Sequence, residues 1–118
     1  MESMKPCGIR IWTNDLVKSR AFYSEVLPFE VKIDGAEDGY VIIGTDSIDL
    51  ILGNDDGEWS ARHTGLSFWV DDIQASYREM ASKGVAFVGE PEQQFWGGWL
   101  VDFKDCSGNT LTLVQNPD

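Results

Sequence analysis

A chain of 118 residues with 42% hydrophobic content and five tryptophans has enough apolar mass to bury one core, which excludes a disordered protein and sets a single domain over residues 1–118 as the expectation. Twenty Asp and Glu against nine Lys and Arg leave a formal net charge of -11, so a phosphate backbone or an anionic bilayer surface is repelled. No nucleic acid and no membrane partner are expected, and cationic or neutral ligands are favoured, although the same balance also serves plain solubility.

Taken in chain order, residues 7–13 alternate like a half-buried strand, and Asn14 or Asp15 caps a helix that runs to about residue 26 and stops before Pro28. Leu16, Phe22, Tyr23 and Val26 share one face of that helix, while Lys18, Arg20 and Glu25 stay in water. Residues 29–33 read as a strand and Asp34-Gly35 as the start of a loop. Residues 40–43 and 47–52 form a hairpin turned at Gly44-Thr45-Asp46. This is module one, about 7–53, ordered βαβββ. The turn-rich Asn54-Asp55-Asp56-Gly57-Glu58 opens a linker of about 54–62.

Module two, about 63–115, repeats the order. Residues 64–70 read as a strand, Asp71 or Asp72 caps a helix to about residue 83, and Gly84 ends it. A strand over 85–88 is followed by a long connection, 89–97, carrying Pro91, Gln93, Gln94, Phe95 and Trp96. Residues 99–104 and 110–115 then form a hairpin turned at Asp105-Cys106-Ser107-Gly108-Asn109. The order repeats because the sequence does. Gly8-Ile9-Arg10-Ile11-Trp12-Thr13-Asn14-Asp15-Leu16, with Ser19 beyond, returns as Gly65-Leu66-Ser67-Phe68-Trp69-Val70-Asp71-Asp72-Ile73, with Ser76 beyond. The fold class expected is α+β: two βαβββ modules forming a curved mixed β-sheet around a concave cleft, with the helices outside.

Strand parity divides the duplicated segment. With Ile9, Ile11, Leu66, Phe68 and Val70 toward the helices, Gly8, Arg10, Trp12, Gly65, Ser67 and Trp69 face the cleft. Trp12 and Trp69 either wall a site for a planar, partly polar molecule or fill the inside of a closed cup. Arg10, Ser67, Asp49 and Thr112 offer hydrogen bonds there. Other chemistries lack their signatures. Cys7 and Cys106 have no CxxC spacing, one histidine has no triad partners in view, and no phosphate loop, HExxH or EF-hand is present. No apolar run could span a bilayer, and Met1-Glu2-Ser3-Met4-Lys5-Pro6 has no signal-peptide core, so a cytoplasmic protein is expected.

Three segments in order, NDLVKSRAFYSEVLPFEV, WVDDIQASYREMASKGVAF and WGGWLVDFKDCSGNTLTLVQ, resemble the vicinal oxygen chelate superfamily. That superfamily includes glyoxalase I, extradiol dioxygenases, fosfomycin-modifying enzymes and bleomycin resistance proteins, and the pattern is nearest the bleomycin resistance branch. The resemblance implies metal ligands, His or Gln, early in the first strand of each module and a Glu in the last strand of each. Here those positions hold Gly8, Gly65, Asp49 and Thr112, of which Asp49 alone can ligate, too few for a retained ion. Glycine at positions 8 and 65 also suggests vacated volume. The resemblance further implies that Trp96 and Tyr40 are aromatic ligand contacts, with packing on a neighbouring chain as the other reading of Trp96, and that the protein is a homodimer. Trp59 has no counterpart.

The expected function is therefore a metal-independent small-molecule-binding protein without a cofactor, taking a planar or cationic ligand, with antibiotic sequestration as its specific form. Its binding residues would be Arg10, Trp12, Tyr40, Asp49, Ser67, Trp69, Trp96 and Thr112. The alternative is a metal-dependent lyase, dioxygenase or thiol transferase. That reading needs a divalent metal on Asp49 and His63, the latter brought in by a slipped register or bulge, plus one of Glu90, Glu92 or Gln94. A third reading is an interaction module that uses the cleft or a sheet edge for a protein partner.

Overall fold

In a computed structural model, which describes residues 1–54 and 60–118, the duplicated Asp closes a strand and opens a helix in each half of the chain. The chain divides into two units, Met1–Ser60 and Ala61–Asp118. Trp59 and residues 55–58 of the linker lie outside the described residues.

In the first unit strand β1 (Gly8–Thr13) leads to Asp15, whose extended backbone lets its carboxylate accept the Lys18 N–H at 3.0 Å. That cap satisfies a helix donor that would otherwise have no partner, and α1 (Leu16–Ala21) starts there. The helix continues to Val26, as expected, but its last turn, Phe22–Val26, is π-helical, with the Leu27 N–H donating to the Phe22 carbonyl at 2.9 Å. Strands β2 (Glu30–Gly35), β3 (Tyr40–Gly44) and β4 (Asp49–Asn54) complete the unit. The sheet order is β1-β4-β3-β2, with β1 and β4 parallel and the other pairs antiparallel.

Asp34-Gly35, read from sequence as a loop, are the last residues of β2 and pair with Val41 and Tyr40. A bulge between Val31 and Ile33 lengthens the strand and carries it past the polar pair. The loop itself is a 3₁₀ turn, Ala36–Asp38, closed by Gly39 at φ +89, a conformation glycine adopts without steric cost. The core lies on the helix side of the sheet. Ile11, Val41, Ile43, Leu50 and Leu52 pack there with Leu16, Tyr23 and Leu27, all buried. Each such side chain contributes roughly 1.5–3 kcal/mol by leaving water. Thr13 and Ser19, also buried, hydrogen-bond through their hydroxyls and tie β1 to the helix. Phe22 and Val26 are only half-buried, and Arg20, expected in water, is half-buried and paired with Asp34.

The second unit has the same order: β5 (His63–Trp69), α2 (Ile73–Ser82), β6 (Ala86–Gln93), β7 (Trp99–Lys104) and β8 (Thr110–Gln115). Its sheet runs β5-β8-β7-β6, again with one parallel pair, β5 and β8. Asp72 caps α2 by accepting the Ala75 N–H at 3.1 Å, and Gly84 follows the helix at φ +88. The predicted connection over 89–97 is largely strand. β6 continues through Gly89 and Pro91 to Gln93, with a bulge between Val88 and Glu92 and Gly89 at φ +82. Glycine and proline read as breakers, but on an edge strand a bulge accommodates both, because proline's missing N–H has no ladder partner to lose. The true loop is short. It turns at Phe95 and Trp96, with the Gln94 N–H donating to the Gly98 carbonyl at 2.7 Å and the Gly97 N–H to the Gln94 carbonyl at 2.9 Å.

The helix side of this sheet buries Val101, Phe103, Leu111 and Leu113 with Ile73 and Met80. An aromatic chain, Tyr77 to Phe87 at 4.6 Å and Phe87 to Phe103 at 5.9 Å between centroids, links α2 to the sheet. Each module thus forms its own open, four-stranded mixed sheet with a helix on it, and the α+β class and βαβββ order stand. Among the described residues no helix is long and apolar enough to cross a membrane.

Candidate functional site

The face of the first sheet away from its helix is organised in three rows set by the strand register. In the outermost row Trp12, Gly53, Tyr40 and Gly35 stand side by side on β1, β4, β3 and β2. Aromatic and glycine alternate, and each ring lies on the next strand's glycine. A Cβ added at Gly53 would come within 3.2 Å of the Trp12 ring, and one at Gly35 within 2.4 Å of the Tyr40 ring. The rings therefore lie flat along the sheet rather than standing up from it. The next row is Arg10, Ile51, Ile42 and Ile33, with Ile33 exposed. Arg10, expected to offer hydrogen bonds, places its guanidinium over Trp12, 5.3 Å from the ring centroid. The third row holds Asp49 between Gly8 and Gly44. Lys32, which the sequence reading did not single out, reaches over Gly44 and donates to both Asp49 oxygens, at 3.1 and 3.0 Å.

The corresponding face of the second sheet is more polar. Ser67, Thr112 and Asp102 are neighbours on β5, β8 and β7, and the Thr112 hydroxyl donates to Asp102 at 2.6 Å. One step along, His63, Thr110 and Lys104 align, with Lys104 donating to the Thr110 hydroxyl at 2.7 Å. Trp69 stands beside Val114 and is 68% exposed. Trp96, in the β6–β7 turn, folds over Gly98, where a Cβ would fall 1.9 Å from its ring, while Phe95 beside it is fully exposed. The structure therefore brings Arg10, Trp12, Tyr40 and Asp49 onto one face of the first unit. It brings Ser67, Trp69 and Thr112 onto one face of the second.

A family model described as the Glyoxalase/Bleomycin resistance protein/Dioxygenase superfamily matches residues 7–113. The chain belongs to this superfamily. It is 26% identical over 119 residues to the uncharacterized protein YetH of Bacillus subtilis (strain 168), covering 91% of this chain and 94% of that one. Among solved structures it is similar to a member of the glyoxalase/bleomycin resistance protein/dioxygenase superfamily from Sphaerobacter thermophilus DSM 20745. The two share 28% identity and a TM-score of 0.86, covering 97% of this chain and 98% of that one. It is also similar to TnmS3, an antibiotic binding protein from Streptomyces sp. CB03234, at 26% identity and a TM-score of 0.78, with 98% of both chains covered.

The superfamily resemblance implies metal ligands at Gly8 and Asp49 in the first unit and at Gly65 and Thr112 in the second, and the residues present do not fit that role. Both Asp49 oxygens face the Lys32 ammonium, which a divalent cation would have to displace. Thr112 spends its hydroxyl proton on Asp102. Gly8 has not vacated space, because a Cβ there would already lie 3.0 Å from the Asp49 carbonyl oxygen and 3.2 Å from an Ile51 methyl. Gly65 is open around its Cα, but at φ +76 it is closed to most side chains. The irregularity that the metal-dependent alternative needs at His63 exists as a register shift between His63 and Ser67, but His63 is exposed there and its Nδ1 accepts the Gly65 N–H at 3.0 Å. Glu90 and Glu92 are exposed on β6, and the Gln94 side chain donates to the Glu92 carbonyl at 3.0 Å. Among the described residues no three His, Cys, Asp or Glu side chains gather where one ion could bridge them.

Lys32, Ile33, Ile42, Ile51 and Asp102 escaped the sequence reading. Parity along β4 could have placed Ile51 beside Asp49. The reach of Lys32 could not be read, because it depends on a bulge and on a glycine two strands away from Asp49's edge neighbour.

Proposed function

We propose that this chain is a metal-independent, cytoplasmic small-molecule-binding protein, working as a homodimer, that sequesters a planar, antibiotic-like ligand without changing it chemically. The observation that carries the reading is the row Trp12, Gly53, Tyr40, Gly35. Two aromatic rings laid on glycines make a flat pavement, and Tyr40 keeps 36% of its surface exposed. A ring system resting there gains stacking and apolar burial together. The Arg10 guanidinium covers part of the open face of Trp12 and presents its own plane to a ligand there, since a planar guanidinium also stacks. In the second unit, taken by itself, Trp69 and Trp96 are further exposed aromatic surfaces and Ser67 is exposed beside buried Thr112. The net charge of -11 favours ligands with cationic groups, and the similarity to an antibiotic binding protein supports sequestration as the form of binding.

Tryptophan-fluorescence titration with bleomycin-like and planar antibiotics tests this, together with metal analysis after equilibration with nickel, zinc, manganese and iron(II). Saturable binding is expected, with ligand recovered intact by mass spectrometry and no ion retained after desalting. Trp12→Ala should weaken binding about tenfold or more, the value of one lost aromatic contact. One tightly held ion per chain, or conversion of the ligand, would replace the binder with the metal-dependent enzyme.

A further inference from the structure

We infer that the graded face of the first unit selects a planar ring system ending in an anionic oxygen, a carboxylate or phenolate, and that Lys32 is the residue that selects it. This rests on the planar-ligand reading above and adds that the far end of the ligand carries an anionic group, a local demand set against the general preference of a chain of net charge -11 for cations.

The grading follows from the register. Along β4 the face passes from Gly53, under the Trp12 ring, to Ile51 and then to Asp49. The span from pavement to ion pair is about 13 Å at the ordinary rise of a strand. Aromatic surface gives way to aliphatic surface and then to charge. A flat molecule of two or three fused rings lying along this face covers the first two rows and brings its end group to the third.

The charged row is built by three strands acting together. The bulge between Val31 and Ile33 frees Lys32 from the regular alternation of edge strand β2. Gly44 on β3 then leaves a channel for the lysine stem, since a Cβ there would lie 2.7 Å from Cδ and 2.9 Å from Cγ. Asp49 on β4 receives the ammonium with both oxygens. An exposed ion pair adds little to folding, so this construction matters more for where it holds a cation than for stability. An ammonium has three N–H donors, and two contacts engage Asp49. The Lys32 side chain is 54% exposed against 32% for Asp49, so an incoming end group meets the lysine first. Arg10, one row along on β1, adds a second cation to the face. A carboxylate or phenolate takes the remaining lysine donor while Asp49 keeps the ammonium in place.

Anthracene-2-carboxylate and 2-(aminomethyl)anthracene share a flat three-ring system and carry opposite charges at its end, which makes them the probes. Binding to wild type, Lys32→Met, Lys32→Arg and Trp12→Ala is measured by fluorescence and calorimetry. Physiological ionic strength screens the general attraction of an acidic chain for cations. Wild type should prefer the carboxylate. Lys32→Met should weaken the carboxylate about tenfold, the fold-change of one charge-assisted hydrogen bond, and should not weaken the amine, which then meets an unpaired Asp49. Lys32→Arg should restore most of the loss. A wild-type preference for the amine overturns the inference, as does a Lys32→Met variant whose ratio of affinities equals that of wild type. If Trp12→Ala still weakens both probes, the binding face stands without its selector. If Trp12→Ala weakens neither, the binding face falls and the selector with it.

Discussion

Trp12 and Trp69 occupy the same place in the duplicated segment, and the structure treats them differently. Trp12 is half-buried with its ring on Gly53, whereas Trp69 stands beside Val114 and is largely exposed. Strand, parity and distance from the capping Asp are the same in both. What differs is the residue on the neighbouring parallel strand. Glycine leaves a socket that lets an indole lie down, and valine fills that space with its own Cβ and methyls. The duplication thus preserves what makes the fold, the cap and the apolar alternation, while the exposed face changes through the small residues under the large ones.

The two hairpin turns differ in the same way, and the largest expected effect lies there. In the second unit Asp105 is 5% exposed, and its carboxylate accepts the Ser107 and Asn109 N–H groups, both at 2.9 Å, and the Asn109 side-chain amide at 3.2 Å. In the first unit the turn is organised by Thr45, whose hydroxyl accepts the Ser47 and Ile48 N–H groups at 3.2 and 3.1 Å nearer solvent. Asp105→Ala strands buried donors and should cost about 3 kcal/mol in urea unfolding. Thr45→Ala should cost about 1 kcal/mol. Equal losses would mean that burial does not separate the turns.

Gly53→Val tests the sockets directly by giving β4 the residue that β8 has beside Trp69. A Cβ 3.2 Å from the indole makes the ring give by a few tenths of an ångström, and the two valine methyls push it further from the strand. About 1–3 kcal/mol should be lost to overpacking, and tryptophan emission should shift to the red as Trp12 comes to resemble Trp69. Unchanged emission would mean that the ring does not rest on the glycine.

Much of this was legible beforehand, for reasons that are local. The Asp caps, the Gly84 stop and the alternation of Ile9 and Ile11 with Arg10 and Trp12 depend on neighbours within a few residues, and each is where the sequence puts it. The failures involve pairings across strands. Nothing near Gly35 or Gly53 in the chain says that a ring will cover it, because Tyr40 and Trp12 arrive through the register. β6 was cut short at Val88 because Gly89 and Pro91 are judged as breakers until their strand is known to lie at an edge. Lys32 carries no signal of its own in the sequence, and only a bulge and Gly44 bring it to Asp49.

The smallest effect expected separates the helix-to-sheet ties of the first unit by pH. Thr13 and Ser19 join β1 to the helix through uncharged hydroxyls, whereas Arg20 joins it to β2 through Asp34. The Asp34 carboxyl is held below its ordinary value, first by the Ala36 N–H donated to it and then by Arg20. A carboxyl depressed in the folded state stabilises that state at pH values above its unfolded pKa, about 3.9. The contribution fades as pH falls through the lower folded value. Arg20→Met should therefore melt slightly below wild type near neutrality, and the difference should shrink below about pH 4. A Thr13→Val variant should lose stability by the same amount throughout, because no group in that tie titrates. If the Arg20→Met deficit persists undiminished at low pH, Arg20 acts through the packing of its stem rather than its charge, and neither tie depends on a titrating group.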